Sequence, residues 1–235
     1  MFFKRGNKLD RFIKKARKFD EFELKKYEEI VPILTSNKNN VGNKELGLKL
    51  VVISDSHGYL AFENRIEEFM SNIKEYDLCI ILGDIKYYEI EKILKIIPKE
   101  KIIAVRGNHD NLDIYERYGI NDINGKIYSY KGINFAGIEG SFKYKKEKFP
   151  SYTQYESLIL AQEIDKNADI LITHDCAFKN AEYDMAHTGL IGITSYVYNS
   201  NIKWHIHGHI HKSYNSVYDN NVNEKSVYLC EYIQI

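Results

Sequence analysis

At 235 residues and 27.6 kDa the chain is long enough for one large domain with an appendage and a sizeable core. Its 33 basic and 33 acidic residues cancel, so net charge gives no global attraction for nucleic acid, although charge can still cluster locally. No apolar run approaches a membrane span, and MFFKRGNKLDRF has no signal-peptide core before its charges. Together with the scattered, odd-numbered Cys79, Cys176 and Cys230, which read as reduced thiols, this points to a cytoplasmic protein.

Residues 1–47 read as a charged N-terminal extension. Lys4 to Lys18 is basic and Asp20 to Glu29 mainly acidic, while Leu9, Phe12, Ile13 and Ala16 recur at helical spacing. Such an amphipathic helix docks on the domain itself, on a partner or on a membrane surface. The polar run TSNKNNVGNKELG then places a boundary near residue 47, before a second unit over 48–235.

From there strands and helices alternate. LKLVVIS is a β-branched run fit for a buried strand, followed by a helix through Phe62, Ile66, Phe69 and Ile73. DLCIIL is a second strand, EIEKILKII a helix stopped by Pro98, and KIIAV a third strand. Around Lys131-Gly132 two short runs predict a hairpin. A helix over Tyr155–Ile164, the strand ADILIT, a helix near Gly189–Tyr198 and the strand IKWHI follow. SYNSVYD and SVYLCEYIQI close the chain as two further strand-like runs. The fold class is α/β, with helices lying between strands in layers.

The polar residues fall after strands, where ligand sites in open α/β sheets lie. SDSHG supplies Asp55 and His57, LGD supplies Asp84, and RGNHD supplies Asn108, His109 and Asp110. ADILIT is followed by His174 and Asp175, and IKWHIH by His209 and His211. A single histidine beside a strand is commonly structural; five strand ends in series carry a different message. Imidazoles, carboxylates and one amide suit divalent ions of intermediate softness and exclude a thiolate cluster. Candidate ligands in this number exceed one ion but fit two if one carboxylate bridges, an arrangement used for displacement at phosphorus.

Asp-x-His, Gly-Asp, Gly-Asn-His-Asp, a lone His and Gly-His-x-His, in this order, resemble the calcineurin-like metallophosphoesterases over roughly residues 48–235. The resemblance implies a four-layer β-sandwich of two mixed sheets flanked by helices. It also implies two divalent ions, manganese first, with iron, zinc, nickel or cobalt as alternatives. Asp55, His57 and His211 would hold one ion, Asn108, His174 and His209 the other, and Asp84 would bridge them. His109 would stand by the leaving group as acid or charge stabiliser, with Asp110 either orienting it or sitting in a first helical turn. His187 resembles a histidine found near the substrate opening of small members; it could instead cap the following helix.

The implied function is hydrolysis of a small phosphoester substrate, a diester or nucleotide type, by in-line attack of a metal-bridging hydroxide. A catalytically silent metal-binding scaffold is the alternative from another class, but such members have usually lost ligands or the leaving-group histidine, and here all are present. A metal-dependent nuclease would need a basic groove, for which the N-terminal helix and the Lys143, Lys145, Lys146, Lys148 run are the candidates. That run also offers Lys143 and Lys145 as a phosphate-attracting rim. The family's second acid after Gly-Asp is missing from GDIKYYEIEK, and Glu89 lies far along to replace it. In WHIHGHIH, Gly208 is expected to turn the backbone so that His209 and His211 leave the strand, while His205 and His207 stay behind, read as packing or support ahead of ligation.

Overall fold

The computed structural model describes residues 31–32, 34–36, 45–144, 150–178 and 185–235. The amphipathic helix expected over the basic segment, and Lys145, Lys146 and Lys148, lie outside the described residues. Of the extension, Val31 and Leu34 pack, as does Leu158, against Phe178 and Ile191, and Asn199 donates from Nδ2 to the Leu34 carbonyl.

Numbered in chain order, the first elements are β1 (Lys49–Ser54), α1 (Arg65–Ser71), β2 (Leu78–Ile81), α2 (Tyr87–Ile93), β3 (Ile102–Ala104) and β4 (Asn121–Asp122). Next come β5 (Ile127–Tyr130), β6 (Ile133–Ile138), β7 (Ser141–Phe142), β8 (Ser151–Tyr152), α3 (Gln154–Glu163) and β9 (Ile170–Thr173). The chain ends with α4 (Ile191–Asn199), β10 (Trp204–His207), β11 (Tyr214–Val217), β12 (Asn223–Ser226) and β13 (Leu229–Gln234). One mixed sheet has the order β13-β1-β2-β3-β4, the other β11-β12-β10-β9-β6-β5, and β7-β8 form a small ribbon. None of the described helices is long and apolar enough to cross a membrane.

Side-chain alternation along each strand builds four layers. On β1, Leu50 and Val52 face the second sheet, meeting Phe135, Ile170, Ile172 and Ile206. Val51 and Ile53 face outward, against Ile66 and Met70 of α1 and Ile90 and Ile93 of α2. On the far side, Ala136, Ile138 and Leu171 meet Ala161 of α3 and Ile193 and Val197 of α4. Strands sandwiched in this way need apolar residues at consecutive positions, which is why LVVI and CII read as continuous runs.

Three differences from the sequence expectations have physical causes. The first helix begins only at Arg65, because Glu63 and Asn64 are left-handed, and Phe62 is 60% exposed instead of lining the helix's buried face. β12 was not expected, since NEKS carries no apolar pattern; its Glu224 and Lys225 are buried but paired, with His207 and Glu231 respectively. The last run divides at Leu229, which has φ 66°, so β13 starts there and pairs antiparallel with β1. The hairpin forms at Lys131 and Gly132, with φ 50° and 79°, the two positive values that a two-residue type I′ turn requires.

Ile206 sits fully buried between the sheets, one residue from two histidines that point the other way. Ile206→Ala is expected to destabilise by about 2–5 kcal/mol in urea unfolding. The same truncation at exposed Val217 is expected to stay within about 0.5 kcal/mol. Equal effects at the two positions would contradict the inter-sheet core.

Candidate metal centre

Each predicted ligand leaves its strand at once. β1 runs into Asp55 and His57, β2 into Asp84, β3 into Asn108, β9 into His174, and β10 into His209 and His211. The turns are sharp. Asp55, His57, Asp84, His209 and His211 all have φ between 46° and 65°, the left-handed region that side chains with a Cβ avoid. Each such residue costs about 1–3 kcal/mol and persists only where its surroundings over-determine it.

The surroundings here are hydrogen bonds from loop to loop. His57 N donates to the Asp84 carbonyl and Asp55 N to the Gly83 carbonyl. Asp110, fully buried, accepts from Asp84 N at 3.0 Å, Ile85 N at 2.8 Å and Gly107 N at 2.8 Å. Glu89 accepts from Gly58 N at 2.7 Å and Leu60 N at 3.0 Å, fixing the turn after His57.

Both central carboxylates divide their oxygens between backbone and centre. Asp84 Oδ1 accepts from His109 N at 2.8 Å, while Oδ2 lies 3.6 Å from His57 Nε2 and 3.7 Å from His174 Nε2. Asp55 Oδ2 accepts from His209 N at 2.8 Å. Asp55 Oδ1 is buried without a hydrogen-bond partner among the described residues, 3.4 Å from His211 Nε2.

Carbonyl contacts fix the imidazole tautomers. His174 Nδ1 donates to Leu82 O at 2.7 Å, so Nε2 faces Asn108 Oδ1 at 2.9 Å. His209 Nε2 donates to Ala186 O at 2.8 Å, which leaves Nδ1 for the centre. His57 Nε2 and His211 Nε2 stand 3.4 Å apart. Ligand atoms of Asp55, Asp84, His174 and His209 lie within 4.8 Å of one another, as do those of Asp55, His57 and His211.

An orphaned carboxylate oxygen, and acceptors facing acceptors across about 3 Å, are relieved by a cation. The electrostatics agree. Burial pushes the His174 imidazole down, yet Asp84 and then Asp55 carry it above its ordinary value. The neighbouring Asp55 carboxylate likewise raises His211. The donor set therefore fits intermediate divalent ions, with both predicted trios gathered and Asp84 adjacent to each.

A family model described as the calcineurin-like phosphoesterase superfamily domain matches residues 48–228. The chain belongs to this superfamily. It is similar to the phosphopantetheinyl hydrolase PptH from Mycobacterium tuberculosis, with 13% identity and a TM-score of 0.57 over 79% of this chain and 91% of that one. It is also similar to the protein TT1561 of Thermus thermophilus, with 11% identity and a TM-score of 0.53 over 80% of this chain and 99% of that one. At these identities the likeness is one of fold. No curated protein matches.

Within this member of the superfamily the remaining predicted residues fall as follows. His109 is exposed, its ring edge-on to His57 at 5.6 Å between centroids. Asp110 is not in a helix, and among the described residues its carboxylate shows no contact with that ring. Its two oxygens are used by three backbone N–H groups, and burial, then the Asp84 charge, push its carboxyl up to about 7. His187 lies 4.9 Å from the His209 ring and 6.3 Å from His211, between centroids. The helix that follows has its Ile191 N–H capped by Gln154 Oε1, so His187 is not its cap. Lys143 is exposed beside β7, near enough to Glu156 to help hold that carboxylate down after Thr153's backbone bond. Sequence reasoning missed Tyr228, stacked on His211 at 5.4 Å; only its place before the last strand distinguishes it.

Gly208 has a different role from the one expected. Its own φ is not positive; His209 and His211 make the turn. A Cβ at Gly208 would collide with Ser54 Oγ and Asp55 Oδ2, so the glycine permits close approach to the ligand carboxylate. Gly208→Ala is expected to displace Asp55 and weaken metal retention roughly 10- to 100-fold, read by competition with a chelator. Unchanged affinity would show that the contact is relieved elsewhere.

Proposed function

We propose that this chain is a divalent-metal-dependent phosphoesterase acting on phosphodiester or nucleotide-type substrates. The carrying observation is the placement of Asp84 Oδ2 between His57 and His174, from opposite sheets, with Oδ1 tied to the backbone of His109. We assign Asp55, His57 and His211 to one ion, Asn108, His174 and His209 to the second, and Asp84 to both. When bound, two such ions supply a water of lowered pKa and positive charge for the phosphoryl oxygens. Manganese is our first choice for this mixed oxygen and nitrogen set.

The chain's own residues do the rest. Leu82 O and Ala186 O hold the ring orientations of His174 and His209, so the metal-facing nitrogens are set before substrate arrives. His109 shares with Asp84 the hydrogen bond that fixes its backbone, and we assign its exposed imidazole to give a proton to the departing oxygen. We assign His187, whose ring lies against His209, to contact the substrate, a reading its nearness to that ring supports. Lys143, just after β7, would attract the anion, and Lys145, two positions on in the sequence, is assigned the same role. A small substrate is favoured by the closeness with which the ligand-bearing elements follow one another along a compact chain.

Purified protein with Mn²⁺ is expected to cleave a chromogenic aryl phosphodiester. His109→Ala should lower kcat by about 10²- to 10⁴-fold with metal content unchanged. Asp84→Asn should lose both metal and turnover. Activity surviving both substitutions would overturn the assignment.

A further inference from the structure

The proposed catalytic centre uses two of the four imidazoles in WHIHGHIH. The other two, His205 and His207, are fully buried on the face of β10 opposite to Ile206. Neighbouring outward positions on this sheet, such as Leu171 and Ala136, are apolar. Two histidines here need a specific chemical reason.

Parallel β12 sets Glu224 beside His205 in register, and Glu224 Oε1 lies 3.2 Å from His207 Nε2. Hydrogen-bond partners fix both tautomers. His207 Nδ1 faces the Gly208 carbonyl at 3.0 Å, so it donates there and directs Nε2 at Glu224. His205 Nε2 is 2.8 Å from Thr173 Oγ1, whose own hydrogen goes to the Asp175 carbonyl, so His205 donates there too. That leaves His205 Nδ1, 2.8 Å from Tyr218 Oη, which in turn is 3.0 Å from Glu224 Oε1. Tyr214 Oη stands 3.4 Å from His207 Nε2 and 3.3 Å from Glu224 Oε1. The carboxylate's other oxygen, Oε2, accepts from Ser216 Oγ, which fixes the plane in which Oε1 is presented.

Ligating histidines characteristically donate their second nitrogen to a carbonyl or similar acceptor, as both do here. Donor atoms about 2 Å from a shared tetrahedral ion stand about 3.3 Å apart, and the separations around Glu224 Oε1 cluster there. One ligand atom from each of His205, His207 and Glu224 falls within 4.8 Å of the others. The buried carboxylate also needs positive charge beside it.

We propose that His205, His207 and Glu224 bind a third divalent ion, of zinc type, with Tyr218 Oη as the fourth ligand, its phenol proton being released to solvent as the ion binds. Two nitrogens and two oxygens in a closed, buried tetrahedron make a structural site, with no position for water or substrate. The ion joins β10 to β12 and, through Thr173, to β9. It thereby braces the strand ends from which His174 and His209 project. This site is independent of the phosphoesterase reading and stands or falls without it.

Metal analysis of the tag-free full chain decides it. About one zinc per chain is expected to survive dialysis against EDTA that strips the other ions, and to vanish in Glu224→Gln. Cobalt-substituted protein should show the visible absorption of four-coordinate cobalt, retained in His57→Ala and lost in Glu224→Gln. Should Glu224→Gln fail to fold, the resistant zinc and the His57→Ala spectrum still decide. No resistant zinc and no such band in the wild-type chain would overturn the proposal, with a proton joining His207 to Glu224 instead. Zinc retained in folded Glu224→Gln would overturn it equally.

Discussion

The constraint on which the structure depends is the burial of two carboxylates, Asp55 and Asp84, where the ends of two sheets meet. A buried carboxylate without compensation is costly, and each is compensated on one oxygen by a backbone N–H, from His209 and His109 respectively. The second oxygens point at imidazoles and ask for a cation. The loops are shaped around that demand. Left-handed turns at the ligands are tolerated because Asp110 and Glu89, neither of them assigned to an ion, grip six backbone N–H groups of the β1, β2 and β3 loops between them.

The centre also belongs to the sandwich and to neither sheet alone. Asp55, Asp84 and Asn108 follow strands of the first sheet, whereas His174, His209 and His211 follow strands of the second. Contacts such as Val52 with Ile170 and Ile206 thus set the distance between donors from opposite layers. Ions bound there would favour the assembled sandwich over the open chain, coupling metal affinity to stability.

Much of this was legible because the signals were local. β-branched runs gave the buried strands, Lys131-Gly132 the hairpin, and a polar residue after each strand the candidate ligands. What escaped was set by tertiary partners. β12 is a strand because β10 and β11 flank it, and its polar residues are buried because His207 and Glu231 pair with them. Asp110 looked like a helper of His109 from adjacency, yet its partners are the loop around Asp84, a link no local pattern reveals. Gly208 invited the familiar account of backbone freedom; the actual reason is steric, the nearness of Ser54 and Asp55 from a distant segment.

The octapeptide at Trp204–His211 shows how one spacing can serve two chemistries. Up to His207 the backbone is extended and in register with β9 and β12, so alternate side chains must share the outer face. After Gly208 the left-handed His209 and His211 break that alternation and carry their rings past the end of the sheet, against His57 and His174 from the loops after β1 and β9. Two-residue spacing alone would have placed all four rings together. The division follows from where hydrogen bonding to neighbouring strands stops, and the close approach at Gly208 marks that point in the sequence.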